Sequence, residues 1–266
     1  GANTFLNLES DTEKIRRELA ILKSAGVGII RQQFLWEEIE PERGVFWNDR
    51  IGTSTWSKYD TIVRAARDQG LEIMARLERP PRWATPGWEP QIPSSQKPPD
   101  DASLFGDFVH AVLSRYKGQV RFFQVWNEPN LWGEWGESEP DAAQYVELLK
   151  ASYISAKSAD PQAVVVAAGL APTTERGPNN VSDVLYLQRM YFLGAKDYFD
   201  VASSMSYGLV TGPNDVRIGE RWSNFPRAVL LRDVMETFGD ANKPIWASEY
   251  GWMSLPEGWS GRPSIW

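Results

Sequence analysis

Short apolar runs alternate along the chain with longer stretches that carry their apolar residues every three or four positions. Ser10-Asp11-Thr12-Glu13 reads as a capping box, and Ile15, Leu19 and Leu22 follow at helical spacing before Gly26 stops the helix. Val27 to Ile30 then reads as a buried strand. The same alternation repeats. A helix opens at Ser57 to Asp60, buries Tyr59, Ile62, Val63 and Ala66 and ends at Gly70, and the strand Leu71 to Leu77 follows. A helix from Ala102 to Lys117 leads into the strand Val120 to Trp126, and one from Ser138 to Ala159 into the strand Ala163 to Ala168. A helix over Ser182 to Leu193 precedes Phe199 to Met205, and one over Pro226 to Phe238 precedes Pro244 to Ser248. With Ala2 to Leu6 at the start, the pattern predicts seven strands, six of them followed by a helix.

Apolar strands without alternation predict a parallel sheet covered on both faces. Strand starts at 27, 71, 120, 163, 199 and 244 fit a (β/α)₈ TIM barrel of the α/β class. A doubly wound sheet is the alternative, but it usually places a Gly-rich phosphate turn after an early strand. Gly26 and Gly28 read instead as a helix stop and a turn. Seventeen residues follow Glu249, rich in Gly, Pro, Ser and Trp. They leave no room for the last β/α unit. Residues 1–266 thus read as a single barrel domain, incomplete at its C-terminal end. The segment 80–99 holds seven of the 18 prolines and reads as a stiff loop over the barrel mouth.

Composition narrows the chemistry. The formal net charge of −7 argues against nucleic acid and anionic membranes as partners, and no apolar run approaches a membrane span. The absence of cysteine excludes thiolate nucleophiles and disulfides, and a single histidine, His110, excludes multi-histidine metal sites. His110 lies on an amphipathic helix far from any strand end. Proton chemistry is left mainly to carboxylates, with no metal and no cofactor expected.

In a barrel the reactive groups sit at the C-terminal ends of the strands. Those ends hold Arg31, Trp83, the run Trp126-Asn127-Glu128-Pro129-Asn130, Tyr207, and Glu249-Tyr250-Gly251-Trp252. Glu128 and Glu249 end strands four and seven, across the mouth from each other. Two facing carboxyls are what glycosidic hydrolysis needs: one protonates the leaving oxygen, the other attacks the anomeric carbon. Tyr207 and Arg31 are the donors expected to keep Glu249 ionised. Neighbouring negative charge and partial burial are expected to keep Glu128 protonated. Asn127 is placed to bond a sugar 2-hydroxyl. Of the thirteen tryptophans, Trp83, Trp88, Trp132, Trp135, Trp252 and Trp259 lie in loops at the reactive end. Their indoles could stack on sugar C–H faces, with loop packing as the alternative. Trp126 and Trp246 lie in strands and read as core.

The motif Phe123-Gln124-Val125-Trp126-Asn127-Glu128-Pro129-Asn130-Leu131-Trp132, paired with Trp246 to Trp252, resembles clan A of the retaining glycoside hydrolases. It is most similar to family 39 and related endo-glycosidases. The stretch Ile30 to Phe46 matches the clan's second-strand region. The resemblance implies a (β/α)₈ barrel, with Glu128 as acid/base and Glu249 as nucleophile. It also implies Arg31, Asn127 and Tyr207 around them, and double displacement on a β-linked polysaccharide or oligosaccharide without a cofactor. Met205 stands where relatives often carry a histidine, and the strand-eight tryptophan of relatives falls beyond the chain. A carbohydrate-binding pseudoenzyme and a transglycosylase using the same carboxylates are the alternatives. Loop length leans toward endo-action on a polysaccharide and so toward an extracellular or secreted protein, with the cytoplasm as the alternative. Oligomeric state, linkage and sugar identity have no signal in the sequence.

Overall fold

A computed structural model describes residues 1–209, 211–252 and 257–258. Seven strands run in chain order: β1 (Ala2–Thr4), β2 (Ile29–Leu35), β3 (Glu72–Glu78), β4 (Phe122–Val125), β5 (Val164–Val166), β6 (Ala202–Tyr207) and β7 (Ile245–Gly251). The helices between them are α1 (Thr12–Ser24), α2 (Ser57–Asp68), α3 (Ala102–Tyr116), α4 (Ala142–Ala159), α5 (Asp183–Phe192) and α6 (Ala228–Thr237). Strands β1 to β5 form one parallel sheet, and β6 and β7 form a parallel pair. Bridges Val166 to Val201 and Leu170 to Ser204 join the two pieces. All neighbours are consecutive and parallel with a helix in each crossover, which is the winding of a (β/α)₈ barrel. The described residues supply seven of its strands. Between β1 and β7 lies a cavity of about 720 Å³, lined by Ala2, Asn3 and Ile29 on one side and 245–250 on the other.

Alternation along each strand sorts the side chains into two cores. Ile73, Ala75 and Leu77 of β3 and Phe123 and Val125 of β4 face the helices and join the main core. Met74, Val166 and Val201 face the lumen and form its floor, with Ile29, Phe122, Val164 and Trp246 packed against them. Above that floor the inward positions become polar: Arg31, Arg76 and Gln124 are all buried. The strands therefore do alternate, with apolar residues toward the helices and charged ones toward the mouth. The continuous apolar reading holds only for their lower halves.

Helix boundaries follow capping chemistry. The α1 cap is Asp11 rather than Ser10, because the Asp11 carboxylate accepts from the Glu13 amide. Asp101 and Asp141 cap α3 and α4 in the same way. Helix α3 lies close on α4 at Gly106, where an added Cβ would sit 2.9 Å from Ser155 Oγ. A two-residue hairpin, Trp47–Asn48 with Thr53–Ser54, decorates the β2–α2 connection.

Candidate active site

Two expected strand-end residues lie inside strands. Arg31 is the third residue of β2, and Glu249 is the fifth of β7. Both strands extend further toward the mouth than their apolar runs, because the polar residues there find partners inside the lumen. In β7 the register against β6 shifts at Ser204/Met205, so that Ser248 is the extra residue before Glu249. Such a bulge re-aims the side chains that follow it.

At the end of β4 the backbone turns sharply. Trp126 and Glu128 adopt φ of 72° and 30°, and Arg79, just past β3, adopts 60°. These left-handed conformations cost energy for non-glycine residues and persist only where surroundings hold them. Here the Trp126 amide donates to Leu77 O (3.0 Å), and its ring is buried beside Phe105 and Trp135. The Glu128 amide donates to Gly169 O at 3.1 Å, and the buried Asn130 amide bonds Ala171 and Val181.

This turn sets Asn127 and Glu128 against the charged layer of the lumen. Arg31 Nη1 donates to Glu249 Oε1 at 2.5 Å, its Nη2 to Asn127 Oδ1 at 2.9 Å, and its Nε to Gln124 Oε1 at 2.6 Å. Arg76 Nη1 lies 3.1 Å from Asn127 Oδ1 and 3.6 Å from Glu249 Oε1. The Tyr207 hydroxyl donates to Glu249 Oε2. Asn127 Nδ2 faces Glu134 Oε1 at 3.0 Å and Glu128 Oε2 at 3.4 Å. Arg31, Asn127, Glu128, Tyr207 and Glu249 thus meet in one network.

The two expected catalytic carboxyls have opposite surroundings. Glu249 is fixed by two guanidinium groups and a phenol, with 17% of its side chain exposed. Glu128 is 4% exposed, and its Oε1 has no partner among the described residues. Burial first, then the negative charges of Glu134 and Glu249, hold the Glu128 carboxyl well above the usual carboxylate range. Burial and the Glu249 carboxylate that accepts its hydrogen bond push the Tyr207 phenol up as well, so it stays a donor.

The tryptophans divide. Trp252 is 41% exposed, with its indole N–H on Thr211 O and its ring beside Phe225. Trp132 and Trp88 are half-buried. Trp83 is half-buried too, edge-on to Trp36, and donates to Glu40 O at 3.1 Å. Trp135 requires a correction: at 2% exposure, between Trp126 and Tyr145, it is a core residue with no face for a ligand. Trp126 is core as expected, and Trp246 packs on Phe122 at the lumen floor. Trp259 lies outside the described residues.

Three site residues are absent from the sequence reading. Arg76 and Glu78 form a buried ion pair on β3 at 2.7 Å, and Glu134 sits on a turn after β4. The signal for the first two is a charge at alternate positions inside an otherwise apolar strand. Glu134 had no local signal. Among the described residues no cluster of carboxylates or histidine could hold a metal ion, and no helix is long and apolar enough to cross a membrane.

No protein-family profile matches the chain. A 139-residue stretch is 24% identical to the β-glucosidase-like protein SFR2, chloroplastic, of Oryza sativa subsp. japonica, covering 48% of this chain and 20% of that protein. A family 39 glycoside hydrolase from Bacteroides cellulosilyticus superposes with a TM-score of 0.67 at 20% identity, over 94% of this chain and 49% of its own. The GH39 β-xylosidase of Caulobacter crescentus gives 0.61 at 19%, over 96% and 54%. The endo-1,4-β-mannanase of Rhizomucor miehei gives 0.62 at 16%, over 95% and 77%. The chain spans about half the length of the family 39 structures it matches. Its fold is shared with these glycoside hydrolase barrels, the family 39 structures among them.

Proposed function

We propose that this chain carries the catalytic centre of a retaining β-glycosidase, with Glu249 as nucleophile and Glu128 as acid/base. The observation that carries the reading is the opposite treatment of two carboxyls in one network. Glu249 is clamped by Arg31 and Tyr207, while Glu128 is buried among negative charges. Two acids held in unlike environments can take complementary roles. Glu249 Oε attacks the anomeric carbon, the bond to the leaving oxygen breaks, and that oxygen takes the Glu128 proton. Water then attacks the anomeric carbon and gives its proton to Glu128. The ester bond breaks and Glu249 regains its charge. Two inversions return the starting configuration.

The names of the relatives point to β-linked glucose, xylose or mannose units as the class to screen first. An exposed Trp252 at the mouth supports a sugar-stacking edge. A glycan substrate outside the cell fits an extracellular protein. The test is a panel of aryl β-glycosides and oligosaccharides with wild type, Glu249→Gln and Glu128→Gln, together with 2-deoxy-2-fluoroglycosyl trapping. The expected result is loss of turnover by roughly 10⁴-fold or more in Glu249→Gln, as for removal of other nucleophiles, with the trapped sugar on Glu249. Full hydrolysis by Glu249→Gln overturns the mechanism. Saturable binding without turnover by wild type identifies a binding protein, and transfer to an added sugar acceptor identifies a transglycosylase.

A further inference from the structure

Double displacement uses two carboxyls, and the network holds four: Glu78, Glu128, Glu134 and Glu249, against two guanidinium groups, Arg31 and Arg76. Glu78 has a structural partner set, accepting from Arg76, Gln33 and Gln96. Glu134 differs. Among the described residues no Lys or Arg nitrogen pairs with it. Its carboxylate accepts only from two neutral amides, Asn127 Nδ2 at 3.0 Å and Gln96 Nε2 at 2.5 Å. Its main chain is tied to the same motif, since Trp126 Nε1 donates to Glu134 O at 3.0 Å.

The Asn127 amide is consequently polarised from end to end. Its oxygen accepts from Arg31 and Arg76, and its nitrogen is shared by Glu134 and Glu128, both within 3.4 Å. We propose that Glu134 is a positioning residue for Glu128: its carboxylate orients the Asn127 amide and keeps a negative charge beside the acid/base, so that Glu128 holds its proton until the leaving group needs it. This deepens the glycosidase reading and rests on it for its consequence in catalysis, but the electrostatic coupling stands apart from any activity.

The charges facing the pair come from every wall of the site. Arg31 on β2 and Arg76 on β3 favour ionisation of Glu128, while Glu134 on the turn after β4 and Glu249 on β7 oppose it. Glu78 on β3 opposes ionisation of Glu134, and Gln96, Asn127 and Arg76 favour it. Glu78 and Glu249 already pair with the two guanidinium groups. A negative charge on Glu134 is a surplus over those pairs, and one on Glu128, itself buried, would be a second. Burial and Glu78 push the Glu134 carboxyl up to about 7, so its negative charge builds beside Glu128 as pH rises through that value.

The test follows carboxyl titrations by ¹³C NMR in protein labelled at glutamate carboxyls, with Glu128→Gln and Glu134→Gln supplying assignments. In Glu134→Gln the Glu128 midpoint should fall by about one pH unit, the effect of removing one like charge nearby. In Glu134→Asp, which keeps the charge, it should stay within a few tenths of a unit. In the wild type the two carboxyls should titrate in two mutually dependent steps. On an aryl glycoside with a poor leaving group, the basic limb of kcat/KM in Glu134→Gln should move down by the same interval. A dinitrophenyl glycoside, whose departure needs no acid, should not show the move. An unchanged Glu128 midpoint in Glu134→Gln, or independent one-step titrations in wild type, overturns the proposal. A shifted midpoint with no turnover of any glycoside by wild type leaves the coupling intact and overturns the glycosidase reading instead.

Discussion

Asn127 uses the two halves of one amide in opposite senses, its oxygen on two cations and its nitrogen between two carboxyls. No other residue type of that size offers both, and the arrangement fixes which end is which. Glu128, one residue on, keeps its proton because its burial and the neighbouring carboxylates resist a further negative charge. That has a consequence for stability. A carboxyl whose folded value is raised binds protons in the folded state that the unfolded chain has already released. Stability is therefore lost as pH rises from the ordinary carboxyl range toward the folded value. Glu128→Gln removes the titration. Relative to wild type, the variant should gain stability progressively as pH rises above the ordinary carboxyl range, read as diverging thermal midpoints. Parallel curves for the two proteins would show that Glu128 titrates normally.

At the scale of the element, β5 ends where the site begins. Gly169 lies just beyond it, and its carbonyl accepts from the Glu128 amide. A Cβ at Gly169 would sit 2.5 Å from Ser248 Oγ and 2.9 Å from Met205 Cε, so the segment after β5 meets the middles of β6 and β7 there with no spare space. Gly169→Ala should destabilise the protein by about 1–3 kcal/mol, as overpacking does. It should also lower kcat, because the displaced residues are Ser248, next to Glu249, and the carbonyl that anchors Glu128. A thermal melt and a turnover assay check both; a variant with wild-type values would mean that β5 and β7 adjust freely. The elements themselves were largely legible. Apolar periodicity and glycine stops marked the helices, with the first cap read one residue early at Ser10, and apolar runs marked the strand floors. The upper halves of β2 and β7 were not, since Arg31 and Glu249 are polar residues in extended chain. A polar residue signals a strand end unless a partner inside the lumen satisfies it.

Over the whole molecule, connections at the mouth are tied together by one buried cation. Arg227 donates from Nε to both Asp183 oxygens, at 2.8 and 3.0 Å. Its terminal nitrogens donate to Glu220 O, Trp222 O and Thr173 O. Both Arg227 and Asp183 are 2% exposed. Asp183→Ala leaves a buried unpaired guanidinium and should cost about 3–5 kcal/mol. Chemical denaturation reads this as a lower midpoint; a loss under 1 kcal/mol would mean that backbone carbonyls alone satisfy Arg227. The β1 and β7 edges line a cavity of about 720 Å³, where consecutive strands elsewhere are joined by hydrogen bonds or bridges.

The order of strands and helices, the barrel class and the expectation of Glu128 and Glu249 as a pair came from the sequence alone. Periodicity, capping and a short motif are local properties of a chain. Only the tertiary structure decided that Trp135 is core, that Arg76 and Glu78 belong to the site, and that Glu134 shares an amide with Glu128. Those outcomes depend on which side chains the closing barrel brings within hydrogen-bond distance and which it seals from water. Neither quantity is carried by any window of neighbouring residues.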